Sequence, residues 1–258
     1  MLEPYSDRPS STGSLLVNAS TLTMLTQQWA GLGFQVNIHA IGDLANRFAI
    51  DAFEATYPLI CPWETAASCQ AKRRFRIEHA QIIHPDDQKR MFEMGVIPSI
   101  QPTHATSDMY YAEDRLGHER TVDEAYRMRS LLPLHPVLGS DFPVEPPNPF
   151  EGMYAAVTRR SPKKGLGKDG TKEGWYTREV LTLRQALEGF TLAPAKGAFL
   201  EGQAGVIQEG AFADWVVLDK PLMETDIEDL RTLKVKETWV GGKCVYRRAD
   251  EEVKDELK

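Results

Sequence analysis

The stretch Val36-Asn37-Ile38-His39-Ala40-Ile41-Gly42-Asp43 decides the fold. After Gly33, the run Val36 to His39 reads as a short strand. Gly42-Asp43 then opens a helix with apolar positions at Leu44, Phe48, Ile50, Ala52 and Phe53. That helix is expected to reach about Tyr57, with Pro58 as its stop. The same grammar repeats downstream. Phe75-Arg76-Ile77-Glu78-His79 reads as a second strand, followed by a helix that starts at Pro85 and ends at Gly95. Asp86 and Asp87 sit where a helix N-terminus favours negative charge. Val96 to Ile100 is a third strand, and Val137-Leu138-Gly139 a fourth that leads into Ser140-Asp141. Alternating strands and helices predict an α/β fold with a parallel sheet of βαβ units.

The strand ends carry the chemistry. His39 ends the first strand, His79 the second, and His104 follows the third in Gln101-Pro102-Thr103-His104. Asp141 follows the fourth. In a parallel α/β barrel the carboxyl ends of the strands form one face, so residues far apart in sequence converge there. Two imidazoles and a carboxylate suit a zinc-like divalent ion with a position left for water. Such an ion lowers the pKa of its water and polarises a carbonyl. Asp141 is the candidate to accept the water proton and hand it to a leaving amine. Any one of these residues alone reads more simply as a hydrogen-bonded turn residue; four in register favour a site. His84 is expected to start a helix, and His118 and His135 receive no role. Asp43 reads as a helix cap or as support for the His39 site. Glu78 is either the partner of a cation or a supporting group. Arg115 and Arg120 could clamp a substrate carboxylate or lie on a solvated helix face.

The 258 residues, 42% apolar and 26% charged, exclude a disordered, collagenous or coiled-coil chain. A formal charge of −7 argues against nucleic acid as a partner. No apolar run is long enough to span a bilayer, and the first residues do not read as a signal peptide. The three cysteines, Cys61, Cys69 and Cys244, show no zinc-type spacing and are expected as packed or idle thiols in a reduced compartment. Localisation is otherwise unassigned, with the cytoplasm as the default.

The stretch from Ser161 to Thr177 reads as a long surface loop. Thr182 to Gln185 matches a capping box before an apolar helix. Beyond Gly202 the texture becomes that of a small β region. Strands are expected over Ala204 to Ile207, Ala213 to Leu218 and Val235 to Val240, and Gly241-Gly242 signals a hairpin into Lys243 to Tyr246. The resulting division is 1–203, 204–248 and a charged tail, 249–258.

Four motifs together carry a resemblance: His39-Ala40-Ile41-Gly42-Asp43, Arg76 to Gln81, Gln101 to His104, and Leu138 to Val144. With Ala193-Pro194-Ala195, Gly205 to Ile207 and Ala213 to Leu218, they resemble the carboxyl-terminal half of a metal-dependent amidohydrolase. The subgroup is amidohydrolase 3, which includes N-substituted formamide deformylase. The resemblance implies strands five to eight of a distorted (β/α)8 TIM-type barrel plus part of a small β-sandwich. It implies His39 and His79 as metal ligands, Asp141 as ligand and general base, and a divalent metal, zinc. His104, Arg115 and Arg120 remain candidates for the substrate. The implied reaction is hydrolysis of a non-peptide carbon–nitrogen bond in an amide or formamide-like small molecule.

The chain departs from the family in one respect. The family has a His-x-His pair on strand one and a ligating or bridging residue on strand four. No histidine here is followed two residues later by another. The reading is therefore an N-terminally truncated chain, with unpaired edges on its outer strands and little activity alone, completed by a missing half or by a homo-oligomer. Two other readings stand beside it: a non-catalytic half-barrel interaction or regulatory protein, and a metal-dependent ester or phosphoester hydrolase.

Overall fold

The computed structural model describes residues 1–249. The tail expected from Ala249 onward thus lies, apart from that residue, outside the described residues. The first part of the chain runs α1 (Ala19–Gly31), β1 (Asn37–Ala40), α2 (Asp43–Ile60), α3 (Ala66–Arg73), β2 (Arg76–His79), α4 (Pro85–Met94) and β3 (Ile97–Ile100). Then follow α5 (Pro102–Asp108), α6 (Ala112–Leu116), α7 (His118–Asp123), β4 (Val137–Leu138), α8 (Pro149–Thr158), α9 (Leu183–Phe190) and α10 (Leu192–Gly197).

The four strands form one parallel sheet in the order β1-β2-β3-β4. All three neighbour pairs are parallel. The register sets Ile38 beside Ile77 and Ala40 beside His79, so the strands end level with one another. The core lies between sheet and helices. Ile77, Phe53, Phe75, Ile50, Met91 and Leu131 are fully buried within it. Burying each such side chain contributes roughly 1.5–3 kcal/mol.

Local signals place the helices. The Thr182 side chain accepts from Gln185 N while Gln185 Oε1 accepts from Thr182 N, the expected capping box. His84 caps α4 through Nδ1, which accepts from Asp86 N at 3.2 Å. Gly95 ends α4 in the left-handed region. α1, which no sequence signal above singled out, is capped by the Asn18 side chain accepting from Thr21 N. Pro58 does not stop α2, which continues to Ile60. A proline in the last turn removes a single backbone hydrogen bond, and the turn closes through Cys61 N donating to Tyr57 O.

A second, antiparallel sheet has the order β5-β6-β7, with β5 (Trp215–Leu218), β6 (Val235–Val240) and β7 (Lys243–Arg247). Trp215 faces Trp239 across it with stacked rings 5.4 Å apart. Gly241 and Gly242, both at positive φ, make the expected hairpin. Leu218, Val235, Leu230 and Leu233 seat this region on the main core. The strand expected over Ala204 to Ile207 does not form. Gly205 turns at φ +73° so close to the Thr191 carbonyl that a Cβ would lie 2.4 Å from its oxygen.

Two further expectations change. Cys61 and Cys69 are bonded to each other, not idle. α2 ends just before Cys61 and α3 folds back, bringing the two Cα atoms to 5.9 Å. Cys244 is free and exposed. The loop between Ser161 and Thr177 lacks regular structure but is not wholly superficial. Trp175 is buried and stacks beneath the Arg159 guanidinium, which donates to Trp175 O and Tyr126 O.

Among the described residues, β1 and β4 are the open edges of the parallel sheet. Beside β1 runs an apolar groove of about 610 Å³, lined by Leu15, Leu16, Val17, Trp29, Ile38 and Phe48. Leu16 is 95% exposed there. Monomeric proteins rarely leave so contiguous an apolar face in water. Among the described residues, no helix is long and apolar enough to cross a membrane.

Candidate metal centre

His79 is the last residue of β2 and takes φ +76°, with Ala80 at φ +39°. Left-handed backbone at a non-glycine residue costs on the order of 1 kcal/mol and persists where surrounding contacts enforce it. Asp141, beyond β4, is also left-handed at φ +58°. These turns aim the side chains at one point. Asp141 Oδ2 lies 3.9 Å from His79 Nε2 and 3.8 Å from His104 Nε2. One ligand atom from each of the three residues falls within 4.8 Å of the others. The His79 and His104 rings stack 5.6 Å apart, and the His39 ring meets the His79 ring edge-on at 4.4 Å.

The electrostatics match a cation. His104 Nε2 and His79 Nδ1 are buried without a hydrogen-bond partner. Buried polar nitrogens that lack a partner are costly, and a divalent ion held beside Asp141 would satisfy His104 Nε2. Burial, then the neighbouring His39, pushes the His79 pKa down, with Asp141 opposing. Its imidazole is therefore held neutral, the form that ligates. The donor set of imidazoles and a carboxylate fits zinc and similar divalent ions.

These residues line a cavity of about 670 Å³. Arg115 lines it too, though its guanidinium also pairs with Asp7 at 2.6 Å. Arg120 does not line it. Its guanidinium donates to the Leu116, Glu3 and Pro4 carbonyls, which staples the N-terminal segment to α6 and α7. Glu78 pairs with Arg76 at 2.9 Å, the cation-partner reading. Asp43 is the first residue of α2, not its cap. Its carboxylate accepts from Leu2 N and Leu44 N. His118 contacts Glu113, and His135 lies away from the cavity.

Several residues of the site escaped sequence reasoning. Arg8, Gln81, Asp108, Tyr111 and Tyr126 share the cavity wall with the histidines. Gln81 closes a motif quoted above, and Asp108 lies one helical turn beyond His104. Burial and a hydrogen bond to Asp108 raise the Tyr111 pKa to about 12.

The parallel sheet gathers imidazoles and a carboxylate beyond its strand ends in one cavity, a donor set that could hold a divalent ion. The chain belongs to the amidohydrolase family: residues 1–246 match its amidohydrolase 3 profile. It is 34% identical over 246 residues to Protein LONG AFTER FAR-RED 3 of Arabidopsis thaliana, covering 95% of this chain and 40% of that one. It is 30% identical over 249 residues to the putative amidohydrolase YtcJ of Bacillus subtilis, with coverages of 96% and 44%. Among solved structures, an uncharacterized metal-dependent hydrolase from Pyrococcus horikoshii matches with a TM-score of 0.67 and 31% identity. That match covers 82% of this chain and 39% of the other. The chain spans about two fifths of the length of the relatives it matches.

Proposed function

We propose that this chain supplies the His79, His104 and Asp141 part of a metal centre, with His39 alongside, in a hydrolase that cleaves a non-peptide carbon–nitrogen bond. The observation that carries this is the approach of both Nε2 atoms to one Asp141 oxygen. His104, read from the sequence as a substrate residue, is assigned to the ion. A divalent ion here, zinc by its donor set, would acidify a water and polarise the substrate carbonyl.

The chain's own residues do the rest. Asp141 is 37% exposed and faces the cavity, so its carboxylate can take a proton from the attacking water. The water oxygen bonds to the amide carbon, the carbon–nitrogen bond breaks, and the amine leaves with the proton from Asp141. Water and amide give acid and amine, so the balance closes. Neutral His79 keeps its lone pair for the ion. Arg115 and Arg8 at the wall suit a substrate bearing negative charge. The amide preference is supported by a 26% identical relative named N-substituted formamide deformylase, from Arthrobacter pascens.

The organisation follows: residues 1–203 as the carboxyl-terminal half of a barrel, and 204–248 as part of a composite β-sandwich. The apolar groove and the open edge of β1 are the surface on which a preceding half-barrel would pack. On this reading the chain alone binds metal and turns over little. The test compares the zinc-loaded chain with the same chain fused behind the preceding half of the Bacillus subtilis relative, on matched amides, esters and phosphoesters. Amide hydrolysis by the fusion alone supports the reading. Robust turnover by the 258-residue chain contradicts the incompleteness, and preference for esters or phosphoesters contradicts the bond class.

A further inference from the structure

Asp108 closes α5, the helix that carries His104 one turn earlier. Its Oδ2 accepts from the Tyr126 hydroxyl at 2.6 Å and from Gln81 Nε2 at 3.2 Å. Its Oδ1 accepts from the Tyr111 hydroxyl at 2.5 Å. Gln81 Nε2 also donates to the Tyr126 hydroxyl at 2.9 Å, and Tyr126 N donates to Gln81 O at 2.8 Å. Gln81, Tyr126 and Asp108 thus form a closed triangle. One corner lies two residues after His79, and another lies on the helix of His104. None of the three is needed for the proton transfers described above.

We propose that Asp108 is a positioning residue that fixes the separation of His79 and His104. This rests on the metal-centre reading. The backbone from His79 to Ala80 is left-handed and stores strain, so without an outside anchor it would relax toward extended geometry. The anchor on the far side of Ala80 is Gln81, held through both its side chain and its carbonyl. Hydrogen bonds to a carboxylate are about twice as strong as neutral ones, and Asp108 accepts three. With Asp108 in place, strand end and helix move as one piece, and the gap that an ion must fit is set before it arrives.

The test uses cobalt as the probe, on the 258-residue chain, reading affinity by chelator competition and coordination by the visible absorption of the bound ion. Asp108→Ala and Tyr126→Phe are each expected to weaken cobalt binding about 10- to 100-fold, as loss of an outer partner does, and to shift the absorption bands. Asp108→Asn, which keeps an acceptor oxygen, is expected to retain part of the wild-type affinity. Gln70→Ala, which removes a buried amide remote from the cavity, should lower stability and leave the cobalt spectrum unchanged. A folded Asp108→Ala or Tyr126→Phe protein with wild-type affinity and spectrum overturns the proposal while leaving the metal centre standing. Failure of the wild-type chain to bind cobalt overturns both.

Discussion

Asn46 Nδ2 donates to the Ile82 carbonyl at 3.0 Å, linking the first turn of α2 to the segment that follows β2. The same amide reaches the Ala40 carbonyl at 3.2 Å, immediately after His39. One fully buried side chain therefore holds together the two strand ends that carry His39 and His79.

Asn46→Ala leaves those buried carbonyls without their side-chain donor. Each such loss costs about 1–3 kcal/mol. The variant is expected to lose about 2–4 kcal/mol of stability, measured by urea denaturation. A loss below about 0.5 kcal/mol, the range of ordinary surface changes, would show that the amide is not a structural tie.

Glu124 is 7% exposed, and its Oε2 has no hydrogen-bond partner. Burial, then the Asp43 carboxylate, raises its pKa above the ordinary 4.5, with His84 and Arg120 opposing and Glu3 adding. An acid whose pKa is raised by folding favours the folded state when protonated. That contribution is complete below the unfolded pKa and is lost as pH rises through the folded one. Glu124→Gln should therefore be more stable than wild type at pH 7, with the difference shrinking as pH falls toward 4.5. Melting curves across this range decide it. A constant gap between the two proteins would refute the assignment.

The Cys61–Cys69 bond closes a short loop between α2 and α3. A loop of this size is worth about 2.5 kcal/mol in the chain-entropy account. Reduction, or the paired change Cys61→Ser with Cys69→Ser, should lower stability by about that amount, whereas Cys244→Ser should change nothing. Thiol titration of the unfolded, unreduced protein is expected to find Cys244 alone. Three reactive thiols would contradict the bond.

Much of this architecture was legible because local chemistry and the final fold agree. The strands at His39, His79 and Asp141 were marked by β-branched runs that end at polar residues. The capping box at Thr182 and the hairpin at Gly241 and Gly242 depend on neighbours a few residues away. What stayed hidden depends on long-range contact. Cys61 and Cys69 pair only because α3 folds back on α2. Gly205 reads as part of a β-branched strand until the Thr191 carbonyl arrives beside it. Arg120 has the composition of an anion clamp, yet backbone carbonyls from a distant segment occupy its donors. His104 follows the third strand in the sequence, but its place beside Asp141 comes from the way α5 begins directly after β3. Asp108 and Tyr126 carry no sequence motif, since their partnership arises only when α5 and the loop after α7 pack together.

The most direct test of the metal centre is calorimetric titration of zinc into the metal-free chain, repeated with His79→Ala, His104→Ala and Asp141→Ala. The account predicts saturable binding by the wild-type chain. Each variant should lose more affinity than the about 10- to 100-fold typical of removing an outer partner, while far-UV circular dichroism stays unchanged. Wild-type affinity in all three folded variants, or no binding by the wild-type chain, would contradict it.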